Sequence, residues 1–187
     1  MRILAVSGSL RDQSYNSALA RAAAELAPAG VEVDLYDRLG EIPYYDADLD
    51  VDGEEAPGAV QDFRGRIAAA DALLFVTPEY NGSVSGVLKN AIDWASRPPG
   101  GGAALWGKTA AVAGATTGQY GAIWAQQDLR RILGIAGARV VEGELPVARA
   151  QNAFDEAGRL RDPLLAERVR AHLKSLMHEA APVPVAA

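Results

Sequence analysis

The sequence predicts an α/β fold, a doubly wound parallel sheet of five strands with helices on both faces. Three observations support this. Strand-length apolar runs recur at Ile3-Leu4-Ala5-Val6, Ala72-Leu73-Leu74-Phe75-Val76 and Thr109-Ala110-Ala111-Val112-Ala113, each too short for a helix. Segments with helical spacing alternate with them, which implies parallel strands joined by crossover helices. The loops after the first, third and fourth strands are rich in small polar residues. All three emerge at the carboxyl ends of strands, where such sheets bind ligands.

Length and composition narrow the field. The 187 residues suffice for one domain with a full core, expected over residues 1–179 with a disordered tail at 180–187. Apolar residues make up 49% and charged residues 22%, the balance of a water-soluble globular chain. The formal net charge of -6 argues against a nucleic-acid partner. Cysteine is absent, so disulfide and thiolate chemistry are excluded. Met1 leads straight into the first strand, no apolar run reaches membrane-span length, and a cytoplasmic location is expected.

The elements follow in order. Leu19, Ala22, Ala23 and Leu26 repeat as one face of a first helix. Residues 31–36 alternate as a second strand. Residues 37–57 read as irregular. Six of the ten residues 46–55 are acidic, a solvated loop more readily than a patch for a basic partner. Val60, Phe63 and Ile67 mark a second helix. After the central strand 72–76, Val87, Leu88, Ala91, Ile92 and Ala95 form the stripe of a third helix, which the Pro-Pro-Gly-Gly-Gly run at 98–102 ends. A fourth strand and helix run to about Leu133, and Arg139-Val140-Val141 makes a short fifth strand. Residues 146–158 read as irregular. Asp162 caps a last helix that has Pro163 at its first position and Leu165, Val169, Leu173 and Leu176 on its apolar face.

The first loop has the composition of an anion site. Gly8 permits a tight turn, Ser7, Ser9, Ser14, Asn16 and Ser17 offer hydroxyls and an amide, and Arg11 adds a planar cation. The helix that follows presents its positive end. A helix cap alone needs one such residue. Neither a G-x-x-x-x-G-K-[ST] nor a G-x-G-x-x-G spacing is present, so a phosphate monoester fits better than a pyrophosphate or triphosphate.

Gly8-Ser9-Leu10-Arg11 with Ser14, Asn16 and Ser17, then Thr77-Pro78-Glu79-Tyr80-Asn81-Gly82-Ser83, then Gly86-Val87-Leu88-Lys89-Asn90-Ala91-Ile92-Asp93-Trp94, resemble the NAD(P)H-dependent FMN reductase family. Phe154-Asp155-Glu156, Gly158 and Asp162-Pro163 resemble its C-terminal signature. The resemblance implies a flavodoxin-like sheet of order 2-1-3-4-5 and FMN reduced by NADPH or NADH. It implies an acceptor such as FMN, a quinone, an azo dye or a metal oxyanion. It places Ser9, Arg11, Asn16 and Ser17 on the FMN phosphate, and Pro78, Glu79, Tyr80, Asn81 and Gly82 along the isoalloxazine ring. Thr116, Thr117 and Gly118 would meet the pyrimidine edge. Ser14 and Ser83 complete the candidate cofactor contacts. No catalytic acid or base is expected.

Two positions depart from the family pattern. Ser85 replaces a frequent Pro before the third helix, where it is expected to cap, and Trp124 replaces a frequent Arg. The resemblance also implies dimers, in some members paired into tetramers. Trp94 and Asn90 fall outside the apolar stripe of the third helix, so a homodimer built on that helix and its flanking loops is expected. Two other functions compete. A hydrolase fails because the central residue of Gly82-Ser83-Val84-Ser85-Gly86 is Val84 and both histidines, His172 and His178, lie on the last helix. Metal chemistry fails with two histidines and no cysteine. A flavodoxin-like electron carrier, binding FMN without oxidising a nicotinamide, is the alternative.

Overall fold

The structure, a computed structural model, describes residues 1–51, 55–98 and 100–181. The parallel sheet has the order β2-β1-β3-β4-β5, built from β1 (Arg2–Ser7), β2 (Glu32–Tyr36), β3 (Ala72–Val76), β4 (Thr109–Ala115) and β5 (Arg139–Val140). The expected order is present, and the apolar runs produce it. Alternate residues of β1, β3 and β4 face opposite sides, and both sides are covered. Leu4, Val6, Leu73, Phe75 and Val112 pack with α2 (Gly58–Ala69), α3 (Gly86–Ala95) and α4 (Ile123–Ile135). Ile3, Ala5, Leu74, Val76 and Ala113 pack on the other face, with α1 (Tyr15–Glu25) and α6 (Pro163–Ala180).

The fifth strand differs from expectation, because it is split. β5 pairs with Thr109 and Ala110, and a second segment, β6 (Leu145–Val147), pairs further along with Ala113, Gly114 and Ala115. Residues 146–158 are therefore not irregular throughout: they also hold α5 (Ala150–Ala153) and a bridge between Phe154 and Leu160. The acidic stretch is exposed as expected at Asp46, Asp48 and Glu55, with Asp50 the half-buried exception. Asp50 pairs with Arg64 at 2.9 Å and Arg97 at 3.6 Å; residues 52–54 lie outside the described residues. The last helix begins as its sequence predicts, with Leu164 N–H donating to the Asp162 carboxylate at 2.9 Å. Of the expected tail, Ala180 closes α6, and 182–187 lie outside the described residues. No helix among the described residues is long and apolar enough to cross a membrane.

Trp94 overturns one expectation. It lies on α3 and is fully buried in the core. Tyr45 meets its ring edge-on at 4.9 Å, and its indole N–H donates to the Pro43 carbonyl at 2.8 Å. Asn90 binds the same segment, donating to Pro43 O and accepting from Tyr45 N–H. Residues 43–45 thus cover the side of α3 that the stripe leaves open, and Trp94 is no interface residue.

Candidate functional site

The register of the sheet brings the three loops together. Ser7 pairs with Val76, and Val76 with Ala113, so β1, β3 and β4 end nearly level. Gly8 N–H donates to Val76 O and Thr77 N–H to Ala113 O, at 2.8 and 2.9 Å. These bonds extend the sheet one step into the loops and fix where each begins.

After β1, the chain passes close under α3. A Cβ on Gly8 would lie 2.9 Å from both Leu88 Cδ2 and Ser85 Oγ. Ser85 does not cap α3 with its side chain, as its sequence position suggests; the hydroxyl donates to Gly8 O instead. Ser14 is the cap of α1, accepting from Asn16 and Ser17 N–H. Two of the N–H groups at this helix end, those of Asn16 and Ser17, are therefore already partnered. Asn16 is buried, and its side chain bonds the backbone of Ala115. Three of the candidate phosphate contacts remain open on this loop. Ser9 is half-buried, Ser17 shares a hydroxyl contact with Ser7 at 3.0 Å, and Arg11 is exposed. The Arg11 guanidinium lies over the Tyr15 ring, 5.6 Å from its centre, and Tyr15 stacks on Phe154. A cleft of about 260 Å³ lies beside Ser7, Ser9, Arg11 and Ser17. A planar cation with free donors and two hydroxyls at the mouth of a cleft fits a phosphate monoester.

After β3, residues 80–83 form a two-residue hairpin. Tyr80 and Ser83 exchange backbone hydrogen bonds at 3.0 and 3.2 Å, and Asn81 and Gly82 take positive φ values of 53° and 77°. Asn-Gly is the pair that such a turn favours. Tyr80, Asn81 and Gly82 are exposed, and no atom lies within 4 Å of a Cβ placed on Gly82. Below them Pro78 is buried, and the half-buried Glu79 accepts from Ala125 N–H in the first turn of α4 at 3.1 Å. Ser83 donates to Asp128 on α4, and Arg131 donates to the other carboxylate oxygen at 2.6 Å. The Ser83 hydroxyl, then Arg131, holds the Asp128 carboxyl below its ordinary range.

After β4, Thr116 is half-buried, while Thr117 and Gly118 are exposed. Thr116 N–H donates to Val147 O, and its hydroxyl accepts from Gly118 N–H at 3.3 Å. Gln126, fully buried on α4, donates to Gly121 O and accepts from Leu145 N–H, tying this loop to β6. Sequence reasoning missed Gln126 and Asp128. Both sit in the polar run Gln126-Gln127-Asp128 of an amphipathic helix, and neither has a signature of its own.

The face so formed offers flat, open backbone at two loops and a cleft with Arg11 at its edge at the third. His172 lies on α6, bonded to Val112 O.

The chain matches the family described as NADPH-dependent FMN reductase over residues 1–152. An NAD(P)H-dependent FMN reductase of Pseudomonas aeruginosa is 47% identical over 177 residues, covering 94% of this chain and 93% of that one. A 2-hydroxy-1,4-benzoquinone reductase of a Burkholderia species is 39% identical over 95% of this chain and 92% of its own. Among solved structures, a flavoenzyme NAD(P)H:(acceptor) oxidoreductase of Paracoccus denitrificans superposes with a TM-score of 0.80 at 35% identity, covering 95% of this chain and 97% of that one. A flavodoxin of Pseudomonas aeruginosa, at TM-score 0.54 and 21% identity over 92% of this chain and 99% of its own, shares the fold. The chain belongs to the NADPH-dependent FMN reductase family.

Proposed function

We propose that this flavin-dependent NAD(P)H oxidoreductase holds the FMN phosphate with Ser9, Arg11 and Ser17. In this reading the Pro78, Glu79, Tyr80, Asn81, Gly82 and Ser83 segment meets the ring, and Thr116, Thr117 and Gly118 meet its pyrimidine edge. When bound, FMN supplies the redox chemistry, and the protein supplies position and electrostatics. Arg11 offsets the phosphate charge. Gly82 and Gly118 let backbone approach a flat ring without a side chain between them. Tyr80 adds a broad apolar surface with a polar tip. Ser14 and Asn16 act one step back, through the backbone of α1 and β4.

The observation behind this reading is the register of Ser7, Val76 and Ala113, which delivers three chemically distinct loops to one edge. A quinone or free FMN is the proposed acceptor, in line with the names of the two relatives above. A cytoplasmic site of action fits a chain without cysteine. The test is a colour change. The FMN-loaded protein should be yellow and bleach when NADPH or NADH is added without oxygen, then regain colour on adding a quinone. A yellow protein that keeps its colour would be a carrier like the flavodoxins and would overturn the proposal.

We also propose a homodimer. Trp94 being internal, the support comes from other rings: Tyr80, Trp106, Tyr120 and Trp124 are each about half exposed. Tyr120 and Trp124 pack on each other at 4.9 Å beside the loop after β4. A groove of about 560 Å³ between α3 and α4 is lined by Trp106, Val84, Ile92, Ile132 and Ile135 together with charged side chains that include Lys89, Asp93 and Arg131. Half-exposed aromatic rings and a groove of mixed apolar and charged lining suit a subunit interface. Light scattering on the FMN-loaded protein tests it, and a mass of 19.6 kDa would refute the dimer.

A further inference from the structure

Asn16 does something that its place in the first loop does not announce. It is 4% exposed, at the second position of α1. Its amide pairs with one backbone unit 99 residues away. Ala115 N–H donates to Oδ1 at 2.8 Å, and Nδ2 donates to Ala115 O at 3.1 Å. The reason lies in the sheet. β3 stops pairing with β4 at Val76 and Ala113, and Thr77 N–H makes the last bond to Ala113 O. Beyond that point β4 has no neighbouring strand on its β3 side, and the polar groups of Ala115 would be buried without partners. The Asn16 side chain takes the place of the missing strand, since a carboxamide carries the same donor and acceptor as a peptide.

Ala115 is the last residue of β4, and Thr116, Thr117 and Gly118 follow it directly. Asn16 stands between Ser14, which caps α1, and Ser17, which lines the cleft at the first loop. One side chain therefore joins the two loops proposed for opposite ends of the flavin. We propose that Asn16 is a positioning residue that sets the ring-edge loop 116–118 against the phosphate loop, and that it is not itself a phosphate ligand. The proposal rests on the FMN reading above.

The two roles predict different ligand dependence. A phosphate ligand matters for FMN and not for riboflavin, which has the same ring and no phosphate. A residue that aligns the ring-edge loop matters equally for both. Asn16→Ala should weaken FMN and riboflavin by the same factor, on the order of tenfold, the equilibrium equivalent of one hydrogen bond. Arg11→Ala, run in parallel, should weaken FMN alone. A loss confined to FMN in Asn16→Ala would overturn the proposal. So would a lower melting temperature with both affinities unchanged, which would mark a purely structural bond. Amide exchange in the wild-type apoprotein stands independent of any variant's folding. The Ala115 N–H should exchange as slowly as those inside β4, and rapid exchange there would sink the clamp. Wild-type protein that binds neither flavin would refute the FMN reading, while the exchange measurement would still decide the clamp.

Discussion

Ser85 donates its hydroxyl to the carbonyl of Gly8 at 2.6 Å, across 77 residues of sequence. The start of α3 and the first loop are thereby one piece, and both groups are buried. Ser85→Ala leaves the Gly8 carbonyl without its partner, at a cost of about 1–3 kcal/mol in folding stability. Gly8→Ala fails differently. Its methyl would press on Ser85 Oγ and Leu88 Cδ2, both at 2.9 Å, and overpacking of this kind costs about 1–3 kcal/mol. Because Leu88 remains in place, the double variant should be no more stable than Gly8→Ala. Denaturant titration of the three variants checks this, and a double variant restored to wild-type stability would show that Ser85 alone makes the contact tight.

Arg11 carries the only formal positive charge proposed to touch the cofactor. It stands free of the α1 backbone and leans on Tyr15. Arg11→Ala should weaken FMN by about 1.5–3 kcal/mol, the range for a hydrogen bond to a charged group. Riboflavin affinity should barely move. Equilibrium titration followed by flavin fluorescence measures both, and equal losses would remove Arg11 from the phosphate.

Trp94 gives a prediction about stability where its sequence position suggested assembly. Trp94→Ala should cost about 3–5 kcal/mol, as for other large aromatic truncations in a core. Trp94→Phe keeps most of the packing and loses the indole donor. Pro43 O would still accept from Asn90 Nδ2 at 2.9 Å, so the cost should stay near 1 kcal/mol. Chemical denaturation gives both numbers. Size-exclusion of Trp94→Phe should match wild type, and a change in oligomeric size would return Trp94 to the interface.

How much of this was legible in the sequence depended on the range of the interaction. The strands were legible at 72–76 and 109–113 because an unbroken apolar run of that length has few other uses. β6 was not, because Pro146 sits at its centre and proline argues against a strand. At the sheet's edge that objection lapses, and Pro146 pairs with Gly114. The three loops were legible as a set, since their order after strands alone places them on one edge. The division of labour inside the first loop was not. Ser14, Asn16 and Ser17 look alike in sequence, and what separates them is Ala115, 99 residues from Asn16. Trp94 was misread for the same reason: its cover, residues 43–45, lies about 50 residues earlier in an irregular stretch whose contacts no periodicity reports.

His172 yields a pH dependence of folding. Val112 O lies on β4 between the stretch paired with β5 and the stretch paired with β6. The split in the fifth strand leaves this carbonyl open, and His172 Nε2 reaches it at 2.9 Å. A carbonyl only accepts, so Nε2 is the protonated nitrogen of the neutral ring. Burial lowers the pKa of the ring below its ordinary 6.5; the Val112 bond opposes that shift, Arg130 and Arg168 reinforce it, and Glu144 opposes it. In the unfolded chain the ring takes up its proton near pH 6.5, and in the folded chain only at lower pH. Below pH 6.5 the unfolded chain therefore binds more protons, and stability falls as pH drops toward the folded value; above 6.5 the contribution is fully present. As pH falls through and below 6.5, folding stability should decline with a component that His172→Gln, neutral throughout, lacks. Denaturation midpoints of the two proteins across that range decide it. Parallel profiles would mean that His172 charges as readily in the folded chain as in the unfolded one.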